Sequence, residues 1–131
     1  MLELYSIGIK EEDLNFILEQ IPSILEISNK EIEEKIEILK LLECNEYMIR
    51  NIITSNPNYL TRFNTDVIDL IRKLTSIGIS CLNLFFDSNP FFLNKDAFEV
   101  DDYIKERLIS GLSINDIIEE LETNSYVIDE I

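Results

Sequence analysis

The chain has 131 residues, 46% of them hydrophobic, with 11 bases, 26 acids and no histidine, for a formal charge of −15. That size and apolar content fit one domain (residues 1–131) with a sizeable core, and they exclude a disordered chain. The charge excludes easy partnership with phosphate backbones or anionic lipid; it favours a basic protein partner, or simply a solvated surface.

The charge is uneven. Residues 1–43 carry eleven acids against four bases, 44–95 four against five, and 96–131 eleven against two. The N-terminus has no basic stretch, and Glu3, Glu11, Glu12 and Asp13 interrupt its apolar residues, so no secretory signal is expected. No apolar run approaches the ~20 residues that span a bilayer. These features predict a cytoplasmic protein that does not enter membranes. Cys44 and Cys81 fall in successive repeats and read as buried thiols in a reducing compartment.

Self-similarity organises the chain. Pro22, Pro57 and Pro90 recur at near-equal intervals, and each is followed three residues later by leucine: Leu25, Leu60 and Leu93. Upstream stand Gly8, Cys44 and Gly78, and a fourth copy starts at Gly111, where Ser125 replaces proline and Ile128 replaces leucine. The period of about 33–36 residues gives four repeats, near 4–38, 39–73, 74–107 and 108–131.

In chain order, each repeat opens with a short amphipathic helix, predicted near residues 11–20, 46–55, 80–88 and 114–123. Leu14, Ile17, Leu18 and Ile21 show the helical spacing in the first. Proline ends it, since its ring drives the preceding Ile21, Asn56 or Asn89 out of α geometry. Pro-x-x-Leu then makes one short turn that drops its leucine into the core. A longer helix follows. Ser28 and Glu31 form a capping pattern before the stripe Ile32, Ile36, Leu39 and Leu42. The next stripes are Val67, Leu70, Ile71, Leu74 and Ile77, then Ala97, Val100, Ile104 and Leu108. Glycine ends this helix in a left-handed cap, and Cys44 fits that shape poorly, so the second junction is expected to differ. With no strand pattern in competition, the fold class is all-α: seven or eight helices in a short α-solenoid.

Leu-x-x-x-Gly-hydrophobic-Ser/Lys, an amphipathic helix and then Pro-x-x-Leu, best seen over 4–25 and 74–93, resembles the repeat of the mitochondrial transcription termination factor (mTERF) family. The resemblance implies a helical-repeat superhelix whose basic concave face binds nucleic acid. This chain departs from that pattern at Cys44 and Ser125, and above all in its acidity, so the implied fold does not bring the implied activity with it. The family's binding arginines have no local motif and do not transfer. The absence of a targeting peptide argues against a mitochondrial address.

No reaction chemistry is legible. Without histidine the chain lacks the commonest general base and metal ligand. The cysteines have no Cys-x-x-Cys spacing, and three scattered glycines make no phosphate loop. Glu33 and Glu37, Asp101 and Asp102, and Glu119 and Glu120 are read as solvated helix faces. No enzyme, metal or cofactor is expected. Candidate binding residues are Arg50, Tyr59, Arg62, Arg72 and Lys73 in the near-neutral centre, where bases and aromatics lie together, and Phe91 and Phe92 near Pro90, should either be exposed. Intramolecular pairing and core packing explain the same residues more simply. The favoured reading is a non-enzymatic module that presents an acidic surface to a basic protein. A nucleic-acid regulator is the alternative. Val127, Ile128 and Ile131 at the chain's end point to a fold-back onto the third repeat or a weak homodimer through the last one.

Overall fold

The computed structural model describes residues 2–123 and 131, and all regular elements among them are helical. The short helices are α1 (Leu2–Ser6), α2 (Glu11–Gln20), α4 (Glu46–Ser55), α6 (Leu82–Ser88) and α8 (Ile114–Thr123). The long ones are α3 (Asn29–Leu41), α5 (Asn64–Ile77) and α7 (Ala97–Ile109). Single 3₁₀ turns join short to long: η1 (Pro22–Glu26), η2 (Pro57–Thr61) and η3 (Pro90–Asn94). The order short helix, proline turn, long helix therefore repeats as the sequence predicts.

Local chemistry sets each boundary. The residue before each proline is held extended, with φ near −134° at Ile21, Asn56 and Asn89, so the short helix must stop there. Proline then occupies the first position of the 3₁₀ turn, where its missing N–H matters least. Two of the three long helices start on side-chain caps: at α3 Ser28 accepts from the Glu31 N–H at 3.2 Å, and at α7 Asp96 and Glu99 form a reciprocal capping box, while α5 starts at Phe63 without one.

A left-handed residue follows α1 and each long helix. At Gly8, Gly78 and Gly111 φ is +88°, +111° and +101°. In the second repeat the left-handed residue is Glu43, at φ +69°. The bond pattern fixes the equivalence, because Ile9, Cys44, Ile79 and Leu112 each donate N–H to the residue five positions back. Cys44 thus matches Ile9 and Ile79, not the glycines. It keeps its place in the core, and the strain falls on the residue before it.

Buried side chains form one cluster running from Leu4 to Leu121. The short helices contribute equivalent pairs, Leu14 and Ile17, Ile49 and Ile52, Leu82 and Phe85, with Ile53 and Phe86 added in the second and third. Val67, Leu70 and Leu74 carry the stripe of α5. Phe85 meets Phe86 and Phe92 edge-on, with ring centroids 5.6 and 5.0 Å apart.

Three expectations need correction. Leu60 and Leu93 are buried, but Leu25 is 68% exposed. The 3₁₀ turns η2 and η3 each pack on the long helix of the preceding repeat, α3 and α5, whereas η1 has no long helix before it among the described residues. The constant core residue is the one two places after proline: Ile24, Tyr59 or Phe92. Cys81 is exposed, because α6 starts one residue later after its left-handed residue than its counterparts do and leaves Cys81 at its N-cap. In α7 the stripe is Val100, Tyr103 and Ile104, and Leu108 turns outward. Of the chain's end, Ser125, Val127 and Ile128 lie outside the described residues, and Ile131 packs half-buried against the core.

Candidate protein-binding surface

The basic residues of the central repeats are drawn inward. Arg62 donates from Nη1 to the carbonyls of Leu93 (3.2 Å) and Lys95 (3.0 Å), and from Nη2 to Asp96 Oδ1 (2.6 Å). Its side chain is only 12% exposed. One guanidinium thereby ties the second repeat to the turn that opens α7. The planar fork suits Arg62 to three acceptors at once, which a lysine could not match. Arg50 does the same backwards, donating to the Ile7 carbonyl at 3.0 Å beside the Gly8 turn. The left-handed backbone at Gly8, φ +88°, calls for glycine, and an added Cβ would stand 3.1 Å from Arg50 Nη1, close enough that the guanidinium would have to shift. Lys73 pairs with Asp101 across α5 and α7. Of the five central bases, Arg72 is exposed with no polar partner shown among the described residues, and Lys95 is half-buried.

Tyr59 and Phe92 are fully buried and present no surface, while Phe91 is exposed. The Tyr59 hydroxyl donates to the Lys35 carbonyl at 2.6 Å, and burial holds the phenol protonated well above its ordinary range. The seven sequence candidates are therefore not brought together into one site. Arg50, Arg62 and Lys73 join repeats, Tyr59 and Phe92 fill the core, and only Arg72 and Phe91 face solvent.

Other polar residues also join repeats. Asn56, wholly buried, exchanges amide bonds with Asn94 (3.1 and 2.9 Å) and donates to the Pro90 carbonyl at 2.9 Å. Asn51 reaches Asp87 across α4 and α6. Lys35 occupies the α3 position where α5 has Leu70 and α7 has Tyr103. Its ammonium binds the Asn64 side chain, which in turn donates to Glu34 Oε2 at 2.6 Å. Burial is the largest influence on Lys35 and lowers its pKa, while Glu34 and Glu31 oppose the shift. Asn56 stands in a Ser-Asn-Pro that recurs at 55–57 and 88–90. Lys35 becomes legible only once the left-handed residues align the repeats.

At the last junction the core turns polar. Arg107 stands where Leu4, Leu39 and Leu74 stand in earlier repeats, and Glu120 stands where the short helices have Ile17, Ile52 and Phe85. Glu120 Oε2 accepts from the Tyr103 hydroxyl at 2.7 Å and lies 3.7 Å from Arg107 Nε. The Arg107 guanidinium also sits 5.0 Å over the Tyr103 ring. Burial first, then the Glu120 carboxylate, raises the Tyr103 phenol to about 12.

With the bases so used, the displayed charge is acidic: Glu11, Glu12, Glu19, Glu33, Glu37, Asp102 and Glu106 are all exposed. A groove of about 440 Å³ lies between α3 and α5, lined by Ile38, Leu41 and Ile68 and rimmed by Glu33, Glu34, Glu37 and Lys30. Among the described residues no group of histidine, cysteine, aspartate or glutamate is arranged to hold a metal ion. Both cysteines are free, and burial together with Asp87 raises the Cys44 thiol to about 11, which keeps it unreactive. No helix among the described residues is long and apolar enough to cross a membrane.

The fold and this surface define a helical-repeat protein with polar ties between repeats and no recognisable reaction centre among the described residues. Residues 2–86 match the mTERF family model, and the chain belongs to the mTERF family. No curated protein and no solved structure matched the chain significantly.

Proposed function

We propose that this chain is a non-enzymatic, cytoplasmic binding scaffold that presents an acidic helical-repeat surface to a basic protein. The observation that carries the reading is the allocation of charge. Arg50, Arg62 and Lys73 are spent on contacts between repeats, while the carboxylates of α2, α3 and α7 remain displayed. A field of this sign accelerates encounter with cationic partners and repels polyanions.

Family membership favours a second reading, a nucleic-acid-binding regulator. Its surface would have to be built from Arg72, the half-buried Lys95 and scattered lysines such as Lys10 and Lys30, among many more acids. The scaffold reading is tested by titrating a labelled lysine-rich peptide and a labelled DNA duplex in parallel across a salt series. Expected is saturable binding of the peptide that weakens steeply with salt, and little binding of the duplex. Duplex binding with no peptide binding would reverse the two readings.

Weak self-association through the last repeat is part of the proposal. Exposed Leu108 and Ile109 at that end support it, and the acidic charge limits it. Sedimentation at increasing protein concentration and salt should show a rising average mass, and a strict monomer throughout would remove it.

A further inference from the structure

The groove between α3 and α5 differs from the rest of the surface. α5 packs closely along α7, but α3 does not share that close packing with α5. What joins them instead is η2, seated on α3, and the polar chain from Lys35 through Asn64 to Glu34. The outer sides of the two helices are thus left apart, with Ile38, Leu41 and Ile68 as the floor between them. Leu41 is 82% exposed, on a helix that buries four other residues.

The rim gives the floor a sign. Glu33 and Glu37 lie one turn apart on α3, with Glu34 beside them, against Lys30 in the lining and Lys40, which reaches Glu37 at 3.5 Å. Repeat equivalence makes α3 and α5 run in the same direction. The space between two such helices matches a third helix, whose apolar residues at helical spacing would fill it. An acidic second copy of this chain would meet repulsion from the same rim.

We propose that this groove seats one amphipathic helix of a partner protein, with large aliphatic or aromatic side chains on Ile38, Leu41 and Ile68 and with lysine or arginine facing Glu33 and Glu37. The proposal rests on the acidic-scaffold reading and adds to it a place and a ligand shape. Apolar contact supplies the docking, and the rim selects against acidic or neutral helices.

The test uses the full chain and three labelled peptides of about 20 residues: a helix with a leucine stripe and lysine flanks, a scrambled peptide of the same composition, and the same helix with glutamate flanks. Anisotropy at about 150 mM ionic strength should show the basic helix binding at least about tenfold more tightly than either control. Leu41→Lys should weaken that binding at least about tenfold. Phe98→Lys alters a residue that is 66% exposed on α7, and it should leave binding unchanged. Both positions face solvent, and far-ultraviolet spectra confirm that each variant is folded. Tight binding of the basic helix that Leu41→Lys leaves intact overturns the groove and spares the scaffold reading. Equal binding of the scrambled peptide does the same. Failure of every basic peptide to bind overturns both.

Discussion

Replacing Arg62 with methionine keeps much of the side-chain bulk and removes every donor. The carbonyls of Leu93 and Lys95 then face a junction between repeats with no substitute, and the Asp96 carboxylate loses its partner. A part-buried acceptor left unmade costs about 1–3 kcal/mol. The ion-pair share is discounted, because Asp96 is nearly half exposed and water screens it. Arg62→Met should therefore lose about 2–3 kcal/mol, read from the shift in urea midpoint at constant slope. Arg62→Lys, which keeps the charge but not the fork, should recover less than half of that. Asp96→Asn keeps a helix cap and should cost under about 1 kcal/mol. A loss below about 0.5 kcal/mol for Arg62→Met, or full recovery by lysine, would refute the claim that this guanidinium binds repeats together through carbonyls.

Further outcomes follow from the same structure. Leu60→Ala should cost about 2–5 kcal/mol and Leu25→Ala almost nothing, a contrast in melting that the recurrence of Pro-x-x-Leu alone would not anticipate. Glu43→Gly relieves a left-handed residue and should raise stability by about 1 kcal/mol. Gly78→Ala should destabilise, because φ is +111° and the new Cβ would stand 3.1 Å from Ile118 Cδ1; thermal melts of both variants check the pair. Glu120→Ile alone should destabilise by stranding the Tyr103 hydroxyl and removing the carboxylate beside Arg107, and the triple change Tyr103→Phe, Arg107→Leu, Glu120→Ile should recover most of the loss in urea titrations. Hydrogen bonds from Lys105, then from Lys73, hold the Asp101 carboxyl down to about 2. Its folded value lies below its unfolded one, so its contribution is present above pH ~4 and is lost as pH falls toward 2. Asp101→Asn should flatten that acid limb, and carboxyl carbon shifts should place the titration near 2.

The architecture was readable because each boundary has a local cause. Proline ended the short helices, Ser28 opened α3, and three of the four helix ends carried glycine. The second junction differs as expected, but Cys44 was aligned one residue off, because glycine marks the left-handed site only where it is present. At Glu43 the strain is tolerated, and the buried Cys44 beside it borrowed the glycine's apparent place. Leu25 misled for another reason: its leucine repeats in sequence, but its burial depends on a long helix before it in space. The binding surface was far less legible. Sequence proximity of Arg50, Tyr59, Arg62 and Lys73 says nothing of direction, and the fold turns all four toward neighbouring repeats. The groove between α3 and α5 depends on how two helices pack, which no single helix pattern contains.

The central claim is that Arg50, Arg62 and Lys73 hold the repeats together while most carboxylates of α2, α3 and α7 face the solvent. The most direct measurement is a mobility-shift titration of duplex DNA and of folded RNA at physiological salt with the intact chain. The account predicts no binding tighter than the ~10⁻⁴–10⁻⁶ M of non-specific association, with Arg72→Glu and Arg62→Lys changing nothing on the gel. Nanomolar binding to either nucleic acid, abolished by Arg72→Glu, would contradict it.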